Sequence, residues 1–311
     1  MTRIAIIDMG TNTFHLLIAD AAARKYEILH REHEAVKIGR AGINEGFIDD
    51  AACQRAIIAM KKFRETIDQE HVAEVYAFGT SAFRNAKNGR ALAEEITAIT
   101  GIPIEIISGG AEADYIFEGV RAALDLGNEV SLVMDIGAGS VEFIIGDHTA
   151  MFWKESFEIG GQRLLERFQK HDPISADEIK KLDAFFHKEL KPLHEAIQKR
   201  KPKTLVGSSG TFDTLSDIFS IRQKIPRTFE ELETPLSFRG FYEIYEELIR
   251  KNRSERMQIQ GMIEMRVDMI VVACCLVRYI LDIHRFERIR VSTYSLKEGV
   301  LAKLVRDQQR D

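Results

Sequence analysis

The segment Asp8-Met9-Gly10-Thr11-Asn12-Thr13-Phe14-His15 returns 127 positions later, without a gap, as Asp135-Ile136-Gly137-Ala138-Gly139-Ser140-Val141-Glu142. Each copy follows a short apolar run and is followed by another one. The pattern predicts a strand, a tight polar turn and a second strand, with a carboxylate at the end of the first strand.

Both turns have the composition of a phosphate-binding loop. Glycine lets backbone amides approach an oxyanion closely, and Ser and Thr hydroxyls add further donors. The leading Asp is suited to a divalent cation that bridges phosphate oxygens and retains waters. One such turn is usually structural. Two in the same register indicate a duplicated fold with two phosphate loops facing one cleft.

Composition is that of a globular protein long enough for two domains. The chain has 311 residues, of which 45% are hydrophobic and 29% charged. The most apolar stretch, Met262 to Leu281, contains four charged residues, so it predicts a core helix and no membrane span. Nothing at the N-terminus resembles a signal peptide, and the three cysteines show no metal or disulfide spacing. A cytoplasmic protein with reduced thiols is expected.

The net charge of −5 argues against broad nucleic-acid binding, for which a basic surface is expected. If the ligand is a polyanion, the positive charge that binds it has to be local.

The order of predicted elements indicates an α/β protein with parallel strand pairs. In the first half, strands alternate with helices, and Gly127-Asn128 interrupts this alternation. Domain I is therefore predicted over residues 1–126 and domain II over 127–295, with a last helix at about 296–311. In the first half, helices are expected at 51–69, 89–100 and 111–124. In the second half, they are expected at 164–169, 176–199, 238–251 and 257–281, and residues 222–237 are expected to form an exposed connection.

Seven motifs together resemble the exopolyphosphatase / guanosine pentaphosphate phosphohydrolase (Ppx/GppA) family of phosphatases, within the actin–Hsp70–sugar kinase superfamily. They span nearly the whole chain: Asp8-x-Gly-Thr-Asn-Thr-x-His-Leu, Gly79-Thr-Ser-Ala-x-Arg84, Ile107-Ser-Gly-x-x-Glu112-Ala, Asp135-Ile-Gly-x-Gly-Ser-x-Glu142, Gly207-x-x-Gly-Thr211, Arg266-x-Asp268 and Ser295-Leu-x-Glu-Gly299. The resemblance implies two actin-like (ribonuclease H-like) α/β domains with an interdomain active-site cleft. It also implies that the last helix packs back on domain I.

The resemblance assigns the catalytic role to Glu112, which would orient and deprotonate the attacking water. From position alone, Glu112 is a carboxylate favourably placed near a helix N-terminus. Asp135 and Glu142 are the expected ligands of Mg²⁺ (or Mn²⁺), with Asp8 as a further contact. The plain structural interpretation of Asp135 is a turn cap.

Phosphate binding is expected from both turns, from Arg84 and from the small-residue turn before a second-half helix. The expected residues are Gly10, Thr11, Asn12, Thr13, Arg84, Gly137, Ala138, Gly139, Ser140, Gly210 and Thr211. His15 and Arg266 are further candidates, as are Lys37, Arg40 and Arg90 for a long anionic chain. Without the resemblance, Arg84 would be taken as a solvated arginine and His15 as a core histidine. Ala138 departs from the family pattern, which has glycine there, and Ala111 stands where many members have an acidic residue.

The expected reaction is hydrolysis of the terminal phosphate of inorganic polyphosphate, and guanosine pentaphosphate is the close alternative. A kinase of the same superfamily would share both turns but would lack the Ser-Gly-x-x-Glu-Ala segment. A non-catalytic sensor of polyphosphate or guanosine tetraphosphate would lose the base or the metal, and an actin-like filament protein would need no Glu112. Longer family members have an additional helical C-terminal region, so short polyphosphates are the expected substrates here. A homodimer is expected, with no nucleic-acid or membrane partner.

Overall fold

The computed structural model describes residues 2–22, 25–40, 42–228 and 231–307. The strands are β1 (Thr2–Met9), β2 (Thr13–Ala22), β3 (Lys25–Ala35), β4 (Glu74–Gly79), β5 (Ile104–Ile106), β6 (Ser131–Ile136), β7 (Val141–Gly146), β8 (Met151–Phe157), β9 (Thr204–Ser208), β10 (Glu233–Thr234) and β11 (Arg288–Ser292). The helices are α1 (Asp50–Gln69), α2 (Ser81–Asn85), α3 (Gly89–Thr100), α4 (Gly109–Ala123), α5 (Gly161–Phe168), α6 (Ala176–Glu189), α7 (Lys191–Arg200), α8 (Ser209–Gln223), α9 (Phe238–Arg250), α10 (Arg253–Arg256), α11 (Ile270–Ile283) and α12 (Leu296–Asp307).

Unit 1 extends over residues 1–119 and 296–311, and it is built on a sheet of order β3-β2-β1-β4-β5. The first three strands are antiparallel neighbours, whereas β4 and β5 run parallel to β1. Helix α1 buries one stripe, including Ala52, Ala56 and Met60, in the core beside this sheet, because apolar residues recur there at helical spacing. The last helix, α12, packs against β1, β2 and β3.

Unit 2 extends over residues 120–295 and repeats this plan in a sheet of order β10-β11-β9-β6-β7-β8. Strands β6, β7 and β8 form antiparallel pairs, and β9 and β11 run parallel to β6. Every residue of β6, β7 and β9 is buried, which explains their continuous apolar runs. The predicted α/β class with parallel pairs is confirmed. The boundary predicted at 126/127 stays a prediction.

Two of the long predicted helices were wrong in their extent. The predicted helix 176–199 is divided at Leu190 into α6 and α7, where Pro192 stands in the first turn of α7 and lacks an amide hydrogen. The predicted helix 257–281 begins only at Ile270. Residues 257–269 form turns, since Gly261 has φ +95° and packs directly on the backbone of Ile218.

Arg84 lies on the short helix α2. The predicted connection 222–237 contains β10, which pairs with β11, and Thr234 there is buried. Residues 308–311 of the predicted last helix and 229–230 of the predicted connection lie outside the described residues.

Gly299 determines how closely α12 approaches α4. A Cβ at this position would lie 1.7 Å from the carbonyl oxygen of Tyr115 and 2.7 Å from the amide nitrogen of Gly119. The neighbouring Glu298 is buried and pairs with Arg31 at 3.4 Å and Lys297 at 3.3 Å. Glu298 and Gly299 therefore hold the last helix in unit 1.

The buried carboxylate of Glu178 is expected to make the stability of unit 2 sensitive to acid. Burial raises its pKa, but the amides of Ser175 and Lys170 and the ring of His171 donate to the carboxylate and lower its pKa from 4.5 to about 2. The carboxylate therefore stabilises the fold above pH 4.5, and this stabilisation is lost as the pH falls towards 2. We expect Glu178→Gln to lower the free energy of unfolding by about 2 kcal/mol at pH 7.

Urea unfolding followed by circular dichroism at pH 7 and at pH 3 measures this effect. The difference between wild type and variant should shrink at the lower pH. Glu189→Gln, on the exposed side of the same helix, is the matched control. A difference that stays constant from pH 7 to pH 3 would contradict the assignment.

Candidate active site

The two predicted phosphate loops have the same hydrogen bond at their base. The Gly10 amide donates to the Thr13 carbonyl at 3.1 Å, and the Gly137 amide donates to the Ser140 carbonyl at 3.0 Å. A Cβ at either glycine would lie within 3.0 Å of that same carbonyl oxygen. A side chain at either position would therefore crowd the turn itself. The predicted duplication of the two turns is confirmed at the level of individual bonds.

In unit 2, a following segment binds all three peptide carbonyls of the loop. Gly161 donates to the Gly137 carbonyl at 2.9 Å, Gln162 to that of Ala138 at 2.9 Å and Gly160 to that of Gly139 at 3.1 Å. In a trans peptide the N–H points away from the C=O of the preceding residue. The amide that follows each of these three carbonyls therefore faces the opposite side of the loop. These amides belong to Ala138, Gly139 and Ser140, and they donate to no acceptor in the described part of the chain. Three neighbouring amides of this kind suit the binding of an oxyanion, and alanine at position 138 still contributes its backbone amide.

In unit 1, the segment after β3 has the same role. Gly39 donates to the Thr11 carbonyl at 3.0 Å, and Lys37 donates to the Asn12 carbonyl at 2.9 Å. The amides of Asn12 and Thr13 therefore point to the other side of the turn. Gly39 is needed for this contact, because a Cβ there would lie 2.3 Å from the side chain of Thr11.

Asp135 lies at the centre of a cluster of hydroxyl groups. Its Oδ2 accepts hydrogen bonds from Ser208 at 2.7 Å, Ser209 at 2.6 Å and Ser295 at 2.7 Å. Ser209 adopts φ +66°, a conformation that costs energy for a residue other than glycine and is often found at functional sites. The second oxygen of Asp135, Oδ1, accepts no hydrogen bond within the described ranges. One oxygen is thus fixed, and the other remains open to a cation.

Glu142 stands directly opposite Asp135 in the β6–β7 ladder, so both carboxylates lie on the same face of the sheet. Its Oε1 accepts from Ser156 at 2.7 Å. No group of three or more His, Cys, Asp or Glu with metal-site geometry occurs among the described residues. Two carboxylates fit Mg²⁺, which usually retains several waters and takes few protein ligands.

The equivalent pair in unit 1 is Asp8 and His15, which stand opposite each other in the β1–β2 ladder. His15 is in turn opposite His33 on β3, and the two ring centroids are 6.0 Å apart. Asp8 thus matches Asp135, whereas an imidazole replaces the second carboxylate.

Glu112 lies in the first turn of α4 and is buried. Arg84 Nη1 donates to its Oε2 at 3.0 Å and to the Ile107 carbonyl at 3.0 Å. Ser108 supports the turn, since its carbonyl accepts from the Glu112 amide and its Oγ accepts from the Ala111 amide. The Glu112 carboxylate is thus held in one position by a guanidinium that is itself fixed to the backbone. This ion pair was not predicted, because it joins two motifs that are 28 residues apart.

Arg266 lies against the first turn of α8. A Cβ at Gly210 would lie 2.0 Å from its Nη2, so this glycine makes room for the guanidinium. Burial lowers the pKa of Arg266, while Asp213 and Asp135 act in the opposite direction. Its Nε is buried and has no hydrogen-bond partner within the described residues. Thr211, in the same turn, is buried as well.

Some residues of this arrangement were missed from the sequence. Ser208, Ser209 and Ser295 hold Asp135, although each lay in a motif already noted. Arg163 donates to the Gly139 carbonyl at 2.8 Å and to Glu158 at 3.1 Å. The Gly160-Gly161 turn before it was the available signal, since a Cβ at Gly160 would lie 2.4 Å from the backbone of Ala138.

Comparison with known proteins identifies the family of the chain. The model of the Ppx/GppA phosphatase family matches residues 17–308. The chain is 27% identical over 317 aligned positions to exopolyphosphatase 2 of Mycobacterium tuberculosis, covering 98% of this chain and 99% of that protein. It is 25% identical over 308 positions to a putative exopolyphosphatase of Haemophilus influenzae, covering 99% and 93%.

Solved structures show the same relationship. The crystal structure of an exopolyphosphatase from Cytophaga hutchinsonii has a TM-score of 0.96 at 44% identity and covers 98% of both chains. That of the Aquifex aeolicus member of the Ppx/GppA family has a TM-score of 0.83 at 25% identity, covering 100% of this chain and 99% of that one. The two mixed sheets match the two actin-like domains of these structures.

Among the described helices, none is both long and apolar enough to cross a membrane. The match of the family model over residues 17–308 leads to one conclusion. The chain belongs to the Ppx/GppA phosphatase family, and it is a hydrolase.

Proposed function

We propose that this protein removes the terminal phosphate of inorganic polyphosphate by attack of water. The observation that carries the proposal is the buried Glu112 carboxylate held by Arg84, because a hydrolase needs a positioned base. The relatives from Mycobacterium tuberculosis and Cytophaga hutchinsonii, both named exopolyphosphatases, support this choice of substrate.

Each part of the arrangement has a role in this reaction. Glu112 orients the water and accepts its proton, and Arg84 fixes the carboxylate that does so. The amides of residues 138–140, with those after Gly10, bind phosphate oxygens and stabilise the charge that develops on them. Arg266, whose Nε lacks a partner among the described residues, supplies a further positive charge. Mg²⁺ (or Mn²⁺), when bound by Asp135 and Glu142, would neutralise phosphate charge.

We expect the wild-type protein to release phosphate from polyphosphate with Mg²⁺, and chelation to lower the rate about a hundredfold. A malachite-green assay with and without a chelator measures this, and added Mg²⁺ or Mn²⁺ should restore the rate. Asp135→Asn should raise the Mg²⁺ concentration needed for half-maximal rate, because it removes a charge next to the open Oδ1 position. Asp147→Asn, in the β7–β8 turn of the same unit, is the control.

Guanosine pentaphosphate is assayed in parallel. Faster release from it than from polyphosphate would reassign the substrate within the same chemistry. Absence of release from both would overturn the proposal and indicate a sensor of such anions. A homodimer and a cytoplasmic location stay predictions.

A further inference from the structure

A basic cavity lies next to the first phosphate loop, within unit 1. It has a volume of about 520 Å³ and is lined by Ala35, Lys37, Arg40, Asp49, Ala51 and Arg55. This volume falls within the range of about 300 to 1,000 Å³ typical of small-molecule sites. The side chains of these residues have no part in the proposed hydrolysis.

The backbone that carries Lys37 is firmly attached to the phosphate loop. Lys37 has φ +49°, a left-handed conformation that is uncommon for lysine, and its amide donates to the Asn12 carbonyl. Arg55, on α1, donates through Nε to the Val36 carbonyl at 2.8 Å and through Nη2 to the Lys37 carbonyl at 3.2 Å. The Arg40 amide also donates to the Lys37 carbonyl, at 3.3 Å. The cavity wall is therefore connected to the loop by backbone hydrogen bonds.

The charges of the cavity are arranged for an anion. Neither the Lys37 ammonium nor the Arg40 guanidinium makes a hydrogen bond or ion pair with any described residue, so both can bind a ligand. The carboxylate of Asp49 is already engaged, because its Oδ1 accepts from the Ala52 amide at 2.7 Å and caps α1. Three cations against one carboxylate leave this cavity positive in a chain whose net charge is −5. A local positive site of this kind concentrates anions despite the overall charge.

We infer that this cavity is a second anion site, at which Lys37 and Arg40 bind phosphate groups of a linear polyphosphate. The inference rests on the proposed function for the identity of the ligand and extends it with a subsite. Charge-assisted hydrogen bonds from both side chains would bind these phosphates, while Arg55 supports the wall. Residues of the cavity bind and position the chain, and they take no part in proton transfer.

Isothermal titration of polyphosphate into Glu112→Gln, with and without Lys37→Gln and Arg40→Gln, tests this inference. The Glu112→Gln background slows turnover about a thousandfold during the titration. We expect the added pair of substitutions to weaken binding about tenfold through loss of two charge-assisted contacts. The affinity should also become less dependent on salt. Lys61→Gln with Lys87→Gln removes the same charge from exposed positions in unit 1, and it should change the affinity less than twofold.

Equal affinities in the two double substitutions would overturn the inference. Circular dichroism verifies that the variants are folded, and glutamine at position 37 leaves the backbone bonds of this turn available. The two proposals fail separately. If the wild type hydrolyses polyphosphate but Lys37→Gln/Arg40→Gln binds it unchanged, the subsite is contradicted and the proposed reaction stands. If Lys37→Gln/Arg40→Gln weakens binding but the wild type releases no phosphate, the proposed reaction is contradicted and the subsite stands.

Discussion

Replacing Glu112 with glutamine should lower kcat for phosphate release about a thousandfold, since a positioned general base contributes about 10² to 10⁴. Glutamine has the same size and its amide oxygen can still accept from Arg84, so the local structure should persist. It cannot take the proton of the attacking water at neutral pH. Binding of polyphosphate should change little, because this loss belongs to the transition state and not to the ground state.

Initial rates give kcat, and titration gives the affinity of the same variant. Glu118→Gln is the matched control, because it makes the same change on the same helix at a carboxylate that pairs with Arg306 at 2.6 Å. Its kcat should remain within about twofold of wild type, as is usual for substitutions away from the reacting atoms. If both variants lost activity equally, Glu112 would have no special role as a base.

Gly299→Ala should lower the free energy of unfolding of unit 1 by about 3 kcal/mol or more. The added methyl group would lie 1.7 Å from the Tyr115 carbonyl oxygen, and this backbone atom cannot move without displacing α4. The sign of the effect is diagnostic. In a helix without such a contact, the same change would stabilise by about 1 kcal/mol.

Thermal and urea unfolding, each followed by circular dichroism, measure this change. Lys303→Ala is the control, since it shortens a side chain of α12 that packs over the Tyr115 ring with its ammonium 5.0 Å from the ring centroid. This contact is partly exposed, and we expect its loss to cost less than about 1 kcal/mol. Stabilisation by Gly299→Ala would show that α12 does not pack tightly against α4 at this position.

Much of the fold could be predicted, because its strands have strong local signals. The two hairpins were found from a repeated pattern, and α1 from the Asp49 cap followed by apolar residues at helical spacing. The breaks at Leu190 and before Ile270 were missed, since the apolar residues continue at similar spacing through both. In the second case, turns around Gly261 are required by contact with α8, which no local pattern contains.

The charged residues of the candidate site could be predicted from the sequence. The residues that hold them in position by hydrogen bonds could not. Asp135 and Glu142 were paired from the sequence, and they are partners in the ladder. The hydroxyls of Ser208 and Ser295 reach Asp135 from positions 73 and 160 residues away. Serine is common in turns, so its contribution to the site emerges only from tertiary contacts. The pairing of Arg84 with Glu112 is likewise a tertiary contact, between residues 28 positions apart.

The position of α12 has a consequence for synthesis on the ribosome. This helix completes unit 1 but follows unit 2 in the chain, so unit 2 is fully translated first. Translation of residues 120–295 takes on the order of 10 to 30 s. Throughout that interval, the strands β1, β2 and β3 lack the apolar residues Val300, Leu301 and Val305 of α12. Unit 1 can therefore be completed only after the whole of unit 2 has been synthesised.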